Sequence, residues 1–220
     1  MKTITGFALA LALSFAFLSV AGAKDMNKGA KLNLDSLMSG NARYAAGEPT
    51  HPRQGMERRK EVTLSQHPAA IVVSCSDSRV PPEIIFDQGV GDLFVVRVAG
   101  NVLNDVNTGS VEYAAEHFNV PLVIVLGHER CGAVTATVKG GEAPWHIGSI
   151  VEAILPAVAE AKKCCSEGDL VEAAAHINVE RAVKALRDSN PILSHLVKKG
   201  KLTVIGAYYD LDSGKVELLP

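Results

Sequence analysis

This chain of 220 residues contains few aromatic residues and has no large excess of positive or negative charge. Aromatic residues make up 5% of the sequence, and 22 Lys and Arg are balanced by 24 Asp and Glu for a net charge of −2. Few aromatic residues leave little for stacking on bases, and the balanced charge disfavours binding to nucleic acid or to an anionic membrane surface. We therefore expect no nucleic-acid partner.

Cysteine is also rare, with 4 residues in the chain, which is too few for a framework of disulfide bonds. Cys75 and Cys131 each lie beside polar residues suited to catalysis, whereas Cys164 and Cys165 are adjacent. Neighbouring cysteines rarely form a bridge, because the required geometry strains the peptide between them. We interpret Cys164 and Cys165 as a partly buried pair on a helix, with a redox role as the alternative.

Long hydrophobic runs are confined to the start of the chain. Lys2 precedes an uncharged apolar run over residues 4–20, which is followed by Ala21, Gly22 and Ala23. This arrangement predicts a secretory signal peptide, residues 1–23, cleaved after Ala23. An uncleaved anchor is the alternative, although the run is slightly shorter than the about 20 residues of a spanning helix. We expect residues 24–220 to be periplasmic or secreted, without stable membrane association.

Apolar runs and helical patterns alternate in the remainder of the chain. Four continuous apolar runs predict buried parallel strands, at residues 69–74, 94–98, 122–126 and 202–207. Helical stretches between them predict an α/β fold with a mostly parallel central sheet flanked by helices. Residues 208–210 and 216–219 flank a turn and predict a C-terminal hairpin or edge strand. Because no linker or internal repeat divides the chain, we expect residues 24–220 to form a single domain.

Apolar residues at helical spacing predict the helices between and around the strands. They cover residues 33–46, 55–65, 82–87, 108–118, 133–138 and 169–188, with a further helical face from Ile147 to Val158. We expect Pro156 to kink or restart the helix in which it lies. The helix over 33–46 has an apolar face and little of its own domain nearby, so we expect it to project.

Two clusters of polar residues follow two of the predicted strands. The first is Cys75-Ser76-Asp77-Ser78-Arg79, and the second is Gly127-His128-Glu129-Arg130-Cys131-Gly132. Ligands of an open α/β sheet bind just beyond the carboxyl ends of the strands. Cys75, His128 and Cys131 can therefore converge there on one metal ion.

Two thiolates and an imidazole suit Zn²⁺, and three protein ligands leave the fourth position to water, as in catalytic sites. Asp77 is a candidate fourth ligand, which would close the site. The alternatives are a simply buried Cys75, a disulfide between Cys75 and Cys131, and an ordinary surface His128. The coincidence of all these residues at two strand ends favours the metal site.

These two motifs resemble those of the β-class carbonic anhydrases, and the similarity covers most of residues 24–220. The resemblance implies Cys75, His128 and Cys131 as ligands of one zinc ion per subunit. It also implies that Asp77 and Arg79 form a catalytic dyad. Gln88 aligns with a position that contacts substrate in some members of the family, and the backbone N–H of Gly132 can approach an oxygen of bicarbonate.

The expected reaction is the reversible hydration of CO₂ to bicarbonate and a proton. Zinc lowers the pKa of its bound water from 15.7 towards about 7, so that hydroxide forms near neutrality and attacks CO₂. Arg79 can hold Asp77 away from the metal by a bidentate ion pair. Asp77 then accepts a hydrogen bond from the hydroxide and directs its lone pair at the carbon.

Two other functions and one assembly state accompany this hypothesis. A hydrolase of carbonyl sulfide or carbon disulfide would share the zinc ligands, and a non-catalytic zinc-binding oligomeric protein would not need the Asp77–Arg79 pair. Sites of the resembled family lie at subunit interfaces, and the helix over 33–46 presents an uncovered apolar face. We therefore expect a homodimer or a larger homo-oligomer, with CO₂ and bicarbonate as its small-molecule partners.

Overall fold

A computed structural model describes residues 26–220, and the predicted signal peptide lies outside the described residues. Eight helices and five strands follow one another in this part of the chain. In chain order they are α1 (Lys28–Ala45), α2 (Met56–Glu61), β1 (Ala70–Ser74), α3 (Pro82–Ile85), β2 (Leu93–Arg97), α4 (Asp105–His117), β3 (Leu122–His128), α5 (Gly132–Lys139), α6 (Ile147–Cys164), α7 (Leu170–Asp188), α8 (Ile192–Lys198), β4 (Thr203–Tyr209) and β5 (Val216–Leu218).

The five strands form one sheet in the order β2-β1-β3-β4-β5. The first four are parallel, and β5 pairs antiparallel with β4 at the edge. The predicted α/β fold with a mostly parallel sheet and a C-terminal edge strand is thus confirmed. The two predicted segments 202–207 and 208–210 are one continuous strand, because pairing with β3 extends as far as Tyr209 opposite His128.

Both faces of the sheet are covered, as the continuous apolar runs predict. Alternate residues of β1 point to opposite sides, so that Val72 packs in one apolar layer and Ile71 and Val73 in the other. The first layer includes buried residues of α1, α3, α5 and α6, and the second includes those of α4 and α8. Helix α7 contributes to both layers.

Within residues 26–220, none of the helices combines the length and hydropathy needed to cross a lipid bilayer.

The prediction of a projecting N-terminal helix is wrong. Helix α1 buries Ala30, Leu34 and Leu37 in the same apolar layer as β1 and α3. An ion pair with the buried Asp87 adds to this contact, because Arg43 Nε donates to Asp87 Oδ2 at 2.7 Å. The apolar face of α1 is therefore covered by its own chain, and it cannot by itself argue for a partner subunit.

Helix α6 continues through Pro156, so that of the two predicted outcomes, a kink or a restart of the helix, the restart is wrong. Proline removes one intrahelical donor, which leaves the carbonyl of the residue four positions earlier without its bond. Both Pro156 and Glu152 are exposed, and water can satisfy that carbonyl. The interruption thus falls on the solvent side, while Ile154, Ala157 and Val158 keep the buried side intact.

Capping residues account for other differences at helix ends. Helix α4 begins at Asp105 and not at 108, because the Asn104 side chain accepts hydrogen bonds from the N–H groups of Val106 and Asn107. The Asn107 side chain reciprocates at Asn104 N, which completes a capping box. In the same way α1 begins at Lys28 because Asn27 caps it.

Candidate metal centre

The polar side chains predicted to converge do so at the carboxyl ends of β1 and β3. These strands are neighbours, with Ser74 opposite Leu126. Cys75 follows β1 directly, and His128 is the last residue of β3. Cys131 occupies the N-cap of α5 after a short turn. The parallel pairing of two buried strands therefore brings three residues from distant parts of the sequence to one place.

Gly127 allows a helix to pack closely at this point of β3. A Cβ atom on Gly127 would lie 2.4 Å from Cγ2 of Val179 on α7, which is far inside van der Waals contact. Only glycine therefore fits while α7 keeps its position. The residue before His128 is in this way fixed between the sheet and α7, and the direction of the imidazole is set by a well-packed backbone.

Cys75, His128 and Cys131 form a buried group of potential metal ligands. Their ligand atoms all lie within 4.8 Å of one another, and the residues are 4%, 1% and 2% exposed. His128 Nδ1 lies 2.8 Å from the carbonyl oxygen of Glu129, so it donates there and leaves Nε2 as an acceptor. Nε2 is buried and has no hydrogen-bond partner among residues 26–220. Because an unsatisfied buried polar atom is costly, this arrangement fits a site built for a metal ion.

The two buried sulfurs lie within 4.8 Å of each other, and each shifts the pKa of the other. The neighbouring Cys131 side chain is the main reason that the pKa of Cys75 is lowered, although burial opposes the shift. The neighbouring Cys75, together with burial, raises the pKa of Cys131. The peptide N–H groups of Asp77 and Gly100 also donate to Cys75 Sγ, at 3.4 and 3.2 Å. The surroundings thus favour a thiolate at Cys75, which is the form that binds metals.

Gly100 brings its peptide N–H to Cys75 Sγ from a left-handed backbone conformation. Its φ angle is 67°, and an added Cβ would lie 2.7 Å from Cδ1 of Ile154 on α6. The buried Asn178 side chain on α7 donates to the carbonyl oxygen of Gly100 at 2.8 Å. Two helices therefore hold the donor that faces the thiolate.

Asp77 pairs with Arg79 and lies beside the buried group without belonging to it. Arg79 Nε donates to Asp77 Oδ1 at 2.9 Å and Nη2 to Oδ2 at 2.7 Å, while the Arg79 backbone N–H also reaches Oδ1 at 2.9 Å. The Arg79 side chain is the main reason that the pKa of Asp77 is lowered to about 2. Asp77 Oδ2 lies 3.9 Å from His128 Nε2. Of the two predicted states, the structure has the one in which Asp77 is held by Arg79.

Arg97 is a site residue that the sequence analysis did not identify. Its Nε donates to the carbonyl oxygen of Cys75 at 2.9 Å and its Nη2 to that of Asp77 at 2.6 Å. Arg97 ends β2 opposite Ser74 of β1, so its side chain reaches the loop that follows β1. The signal in the sequence is a single charged residue near the end of an otherwise apolar run. The prediction treated that residue only as part of a strand.

The two residues predicted to contact substrate occupy different surroundings. Gly132 is the first residue of α5, where a peptide N–H has no partner within the helix, and an added Cβ there would meet open space. Gln88 is buried, and its Nε2 donates to the carbonyl oxygens of Phe86 and Asp87 at 2.8 and 3.1 Å. Its Oε1 accepts from Arg53 at 3.4 Å. Gln88 borders an open pocket of about 510 Å³ rather than the metal-capable group.

Cys164 and Cys165 do not form the partly buried helical pair that we predicted. Cys164 is the last residue of α6 and is exposed, while Cys165 lies beyond the helix in extended backbone. Because the backbone becomes extended at Cys165, the helix and its apolar face do not continue through both residues. All four cysteines are unbridged in the structure, including Cys75 and Cys131.

Comparison with known proteins places this chain among enzymes of one family. A family model described as carbonic anhydrase matches residues 70–216. A carbonic anhydrase of Mycolicibacterium smegmatis is 44% identical over 188 residues, which are 83% of this chain and 90% of that protein. The solved β-carbonic anhydrase CcaA superposes with a TM-score of 0.68 at 27% identity, covering 85% of this chain and 95% of the other. A structure from work on two tetrameric β-carbonic anhydrases of Sordaria macrospora gives a TM-score of 0.67 at 25% identity, covering 86% and 97%.

Proposed function

Since the chain belongs to the β-carbonic anhydrase family, it is a carbonic anhydrase, and we propose that it hydrates CO₂ reversibly with a zinc ion held by Cys75, His128 and Cys131. The observation that carries the proposal is the buried Nε2 of His128, which lacks a hydrogen-bond partner among the described residues and lies within 4.8 Å of two sulfurs. Two thiolates and one imidazole suit zinc, and three protein ligands are the number found in catalytic zinc sites. A zinc ion there would lower the pKa of a water molecule into the neutral range, which supplies the nucleophile that CO₂ hydration requires.

Asp77 is the residue that we propose orients the attacking water. Its pKa of about 2 keeps the carboxylate ionised throughout the neutral pH range, so that it acts as a hydrogen-bond acceptor and not as a donor. Oδ2 faces the group from 3.9 Å and can accept a hydrogen bond from the water while the water's lone pair points at CO₂. The charge of Asp77 is offset by the guanidinium group of Arg79, whose side chain is about half exposed to solvent.

Arg79 and Arg97 together fix where Asp77 lies. Arg79 holds both carboxylate oxygens, and Arg97 holds the main-chain carbonyls of Cys75 and Asp77. Five hydrogen bonds from two guanidinium groups and the Arg79 N–H thus restrain one short loop. We propose that this restraint keeps Asp77 from becoming a fourth metal ligand and so leaves a coordination position for the reaction.

Gly132 and Gln88 are the proposed contacts of bicarbonate. The N–H of Gly132 is one of the unpaired donors at the start of α5, and a helix start favours a negatively charged oxygen. The Gln88 side chain has fewer atoms left for bicarbonate, because its amide nitrogen already donates to two carbonyl groups of its own chain. Its oxygen has only the 3.4 Å contact with Arg53, which leaves capacity to accept a further hydrogen bond.

We propose a homo-oligomer for reasons other than the predicted uncovered helix. Ile84 and Val90 are exposed on either side of the buried Gln88, and Val106 and Tyr113 are exposed on α4. Exposed apolar side chains such as these suit a subunit contact. Relatives described as tetrameric support an assembled state.

We also propose export from the cytoplasm, on the basis of the apolar run over residues 4–20.

Removal and return of zinc tests the proposed function directly. The purified protein should contain about one zinc per chain and hydrate CO₂ in a stopped-flow assay with a pH indicator. Dialysis against a strong chelator should abolish hydration, and stoichiometric zinc should restore it. Protein loaded with zinc at this site that does not accelerate hydration would contradict the proposal, as would full hydration by the metal-free protein.

A further inference from the structure

The remaining two cysteines place two thiols side by side on the surface. Cys164 ends α6, and Cys165 follows with φ −131° and ψ 154°. Their Sγ atoms are 2.8 Å apart, so that one thiol donates a hydrogen bond to the other. Neither residue belongs to the metal-capable group of Cys75, His128 and Cys131.

An open groove of about 430 Å³ gives small molecules access to these thiols. It is lined by both cysteines together with Asp169, Glu172 and His176, among others. The Glu172 carboxylate is occupied on both oxygens, by His176 Nε2 at 3.2 Å and by the hydroxyl of Tyr208 at 2.8 Å. The groove therefore exposes both sulfurs beside a carboxylate that is already engaged.

The backbone makes a bond between these sulfurs possible but strained. A disulfide has an S–S length of about 2.05 Å, so the sulfurs need to approach by less than about 1 Å. Adjacent Cα atoms are about 3.8 Å apart, however, whereas disulfides span about 4.4–6.8 Å. Strained and exposed disulfides are easily reduced, in contrast to structural ones. A bond here would consequently form and break reversibly.

We propose that Cys164 and Cys165 are a redox-active dithiol that exchanges with small disulfides. The more exposed Cys164 attacks one sulfur of the disulfide RSSR as a thiolate, and one RS⁻ leaves and takes up a proton. The Cys165 sulfur then attacks Cys164, a second RS⁻ leaves, and a bond closes between the two cysteines. In sum, two protein thiols and RSSR give one protein disulfide and two RSH, so that the protein is oxidised by two electrons and RSSR is reduced.

Oxidised glutathione, followed by thiol counting and intact mass, tests this site. Cys75 and Cys131 are at most 4% exposed in the fold, so that a bulky thiol reagent counts only the surface pair when the folded protein is assayed with zinc added. The count should fall from two to none, the chain should lose two hydrogens without retaining glutathione, and dithiothreitol should reverse both changes. Peptide mapping should place the new bond between Cys164 and Cys165.

Single variants supply the matched controls. Cys165→Ser should stop at a mixed disulfide carrying one glutathionyl group, because the resolving sulfur is missing. Cys164→Ser lacks the attacking sulfur and should react with glutathione disulfide more slowly, without forming a bond within the chain. The double variant should not react. The proposal is overturned if the unaltered chain keeps both thiols, retains glutathione, or forms disulfides between chains on a non-reducing gel. Zinc content measured in parallel should stay constant, which separates this result from any failure of the proposed hydration activity.

Discussion

Two pairs of cysteines in this chain carry the same side chain in opposite surroundings. Cys75 and Cys131 are nearly inaccessible and lie beside an imidazole nitrogen that has no hydrogen-bond partner in the described part of the chain. Cys164 and Cys165 lie at an exposed helix end beside an open groove. Burial and fixed donors thus suit one pair to metal binding, whereas accessibility suits the other pair to reaction with small molecules.

The largest expected difference between the pairs is in metal content and catalysis. Cys131→Ser should bind little zinc and lose CO₂ hydration by more than about 100-fold, since even loss of a residue behind a ligand costs about 10–100-fold. Cys165→Ser should keep about one zinc per chain and full activity. Metal analysis and stopped-flow hydration on both variants measure the contrast. Undiminished zinc in Cys131→Ser would contradict the assignment of the buried pair as metal ligands.

The Asp77–Arg79 pair should produce the next largest effect. Arg79→Ala should lower turnover roughly 100-fold with zinc retained, because Asp77 then becomes able to occupy the metal. Asp77→Ala in that background should cost less than about threefold more, as expected for residues that act through one contact. Turnover of the two single variants and the double variant at pH 8 gives the coupling. Log-rate losses that simply add would show that the two residues act independently.

Substitution of Arg97 should lower the affinity of the site for zinc more than it lowers the rate of CO₂ hydration. Arg97→Gln removes at least one hydrogen bond to the carbonyls of Cys75 and Asp77 and should weaken zinc binding by about 10–100-fold. The matched control is Arg181→Gln on α7, since within residues 26–220 the side chain of Arg181 makes one exposed contact, with Glu160. Competition with a chromophoric chelator measures both. Equal affinity in the two variants would show that Arg97 does not support the site.

Glycine substitutions compare the packing around the two pairs and should have the smallest effects. Gly127→Ala forces a Cβ against Val179 and should destabilise the fold by about 1–3 kcal/mol. Gly168→Ala, close to Cys165, meets open space and should stay within about 0.5 kcal/mol. Urea unfolding compares the variants. Equal stability would mean that α7 moves away from β3 without cost.

Much of the sheet and the three residues of the buried group could be predicted from local sequence. Apolar runs mark the four parallel strands, and the polar residues directly after two of them mark their carboxyl ends. Asn178 could not be predicted in the same way, because it meets Gly100 across 78 positions of sequence. The capping of α4 by Asn104 was readable in principle, since Asn at that position begins a helix.

The surroundings of surface residues were harder to predict than those of the core. The interpretation of Cys164 and Cys165 assumed that helical periodicity continued through both, whereas α6 ends at Cys164. Helix α8 was missed because it is short and follows the Asn190–Pro191 turn directly. The apolar face of the N-terminal helix was read correctly, but which surface covers it depends on contacts with α3 and β1 that no local pattern contains.

Cobalt substitution tests most directly which sulfurs hold the metal. Metal-free protein given one equivalent of Co²⁺ should show the visible bands of a tetrahedral site together with sulfur-to-cobalt charge transfer in the near ultraviolet. The Cys164→Ser/Cys165→Ser variant should give the same spectrum, and the Cys75→Ser/Cys131→Ser variant should lose the charge-transfer band. A band that persists without the buried pair, or disappears without the exposed pair, would contradict the assignment of the metal to Cys75, His128 and Cys131.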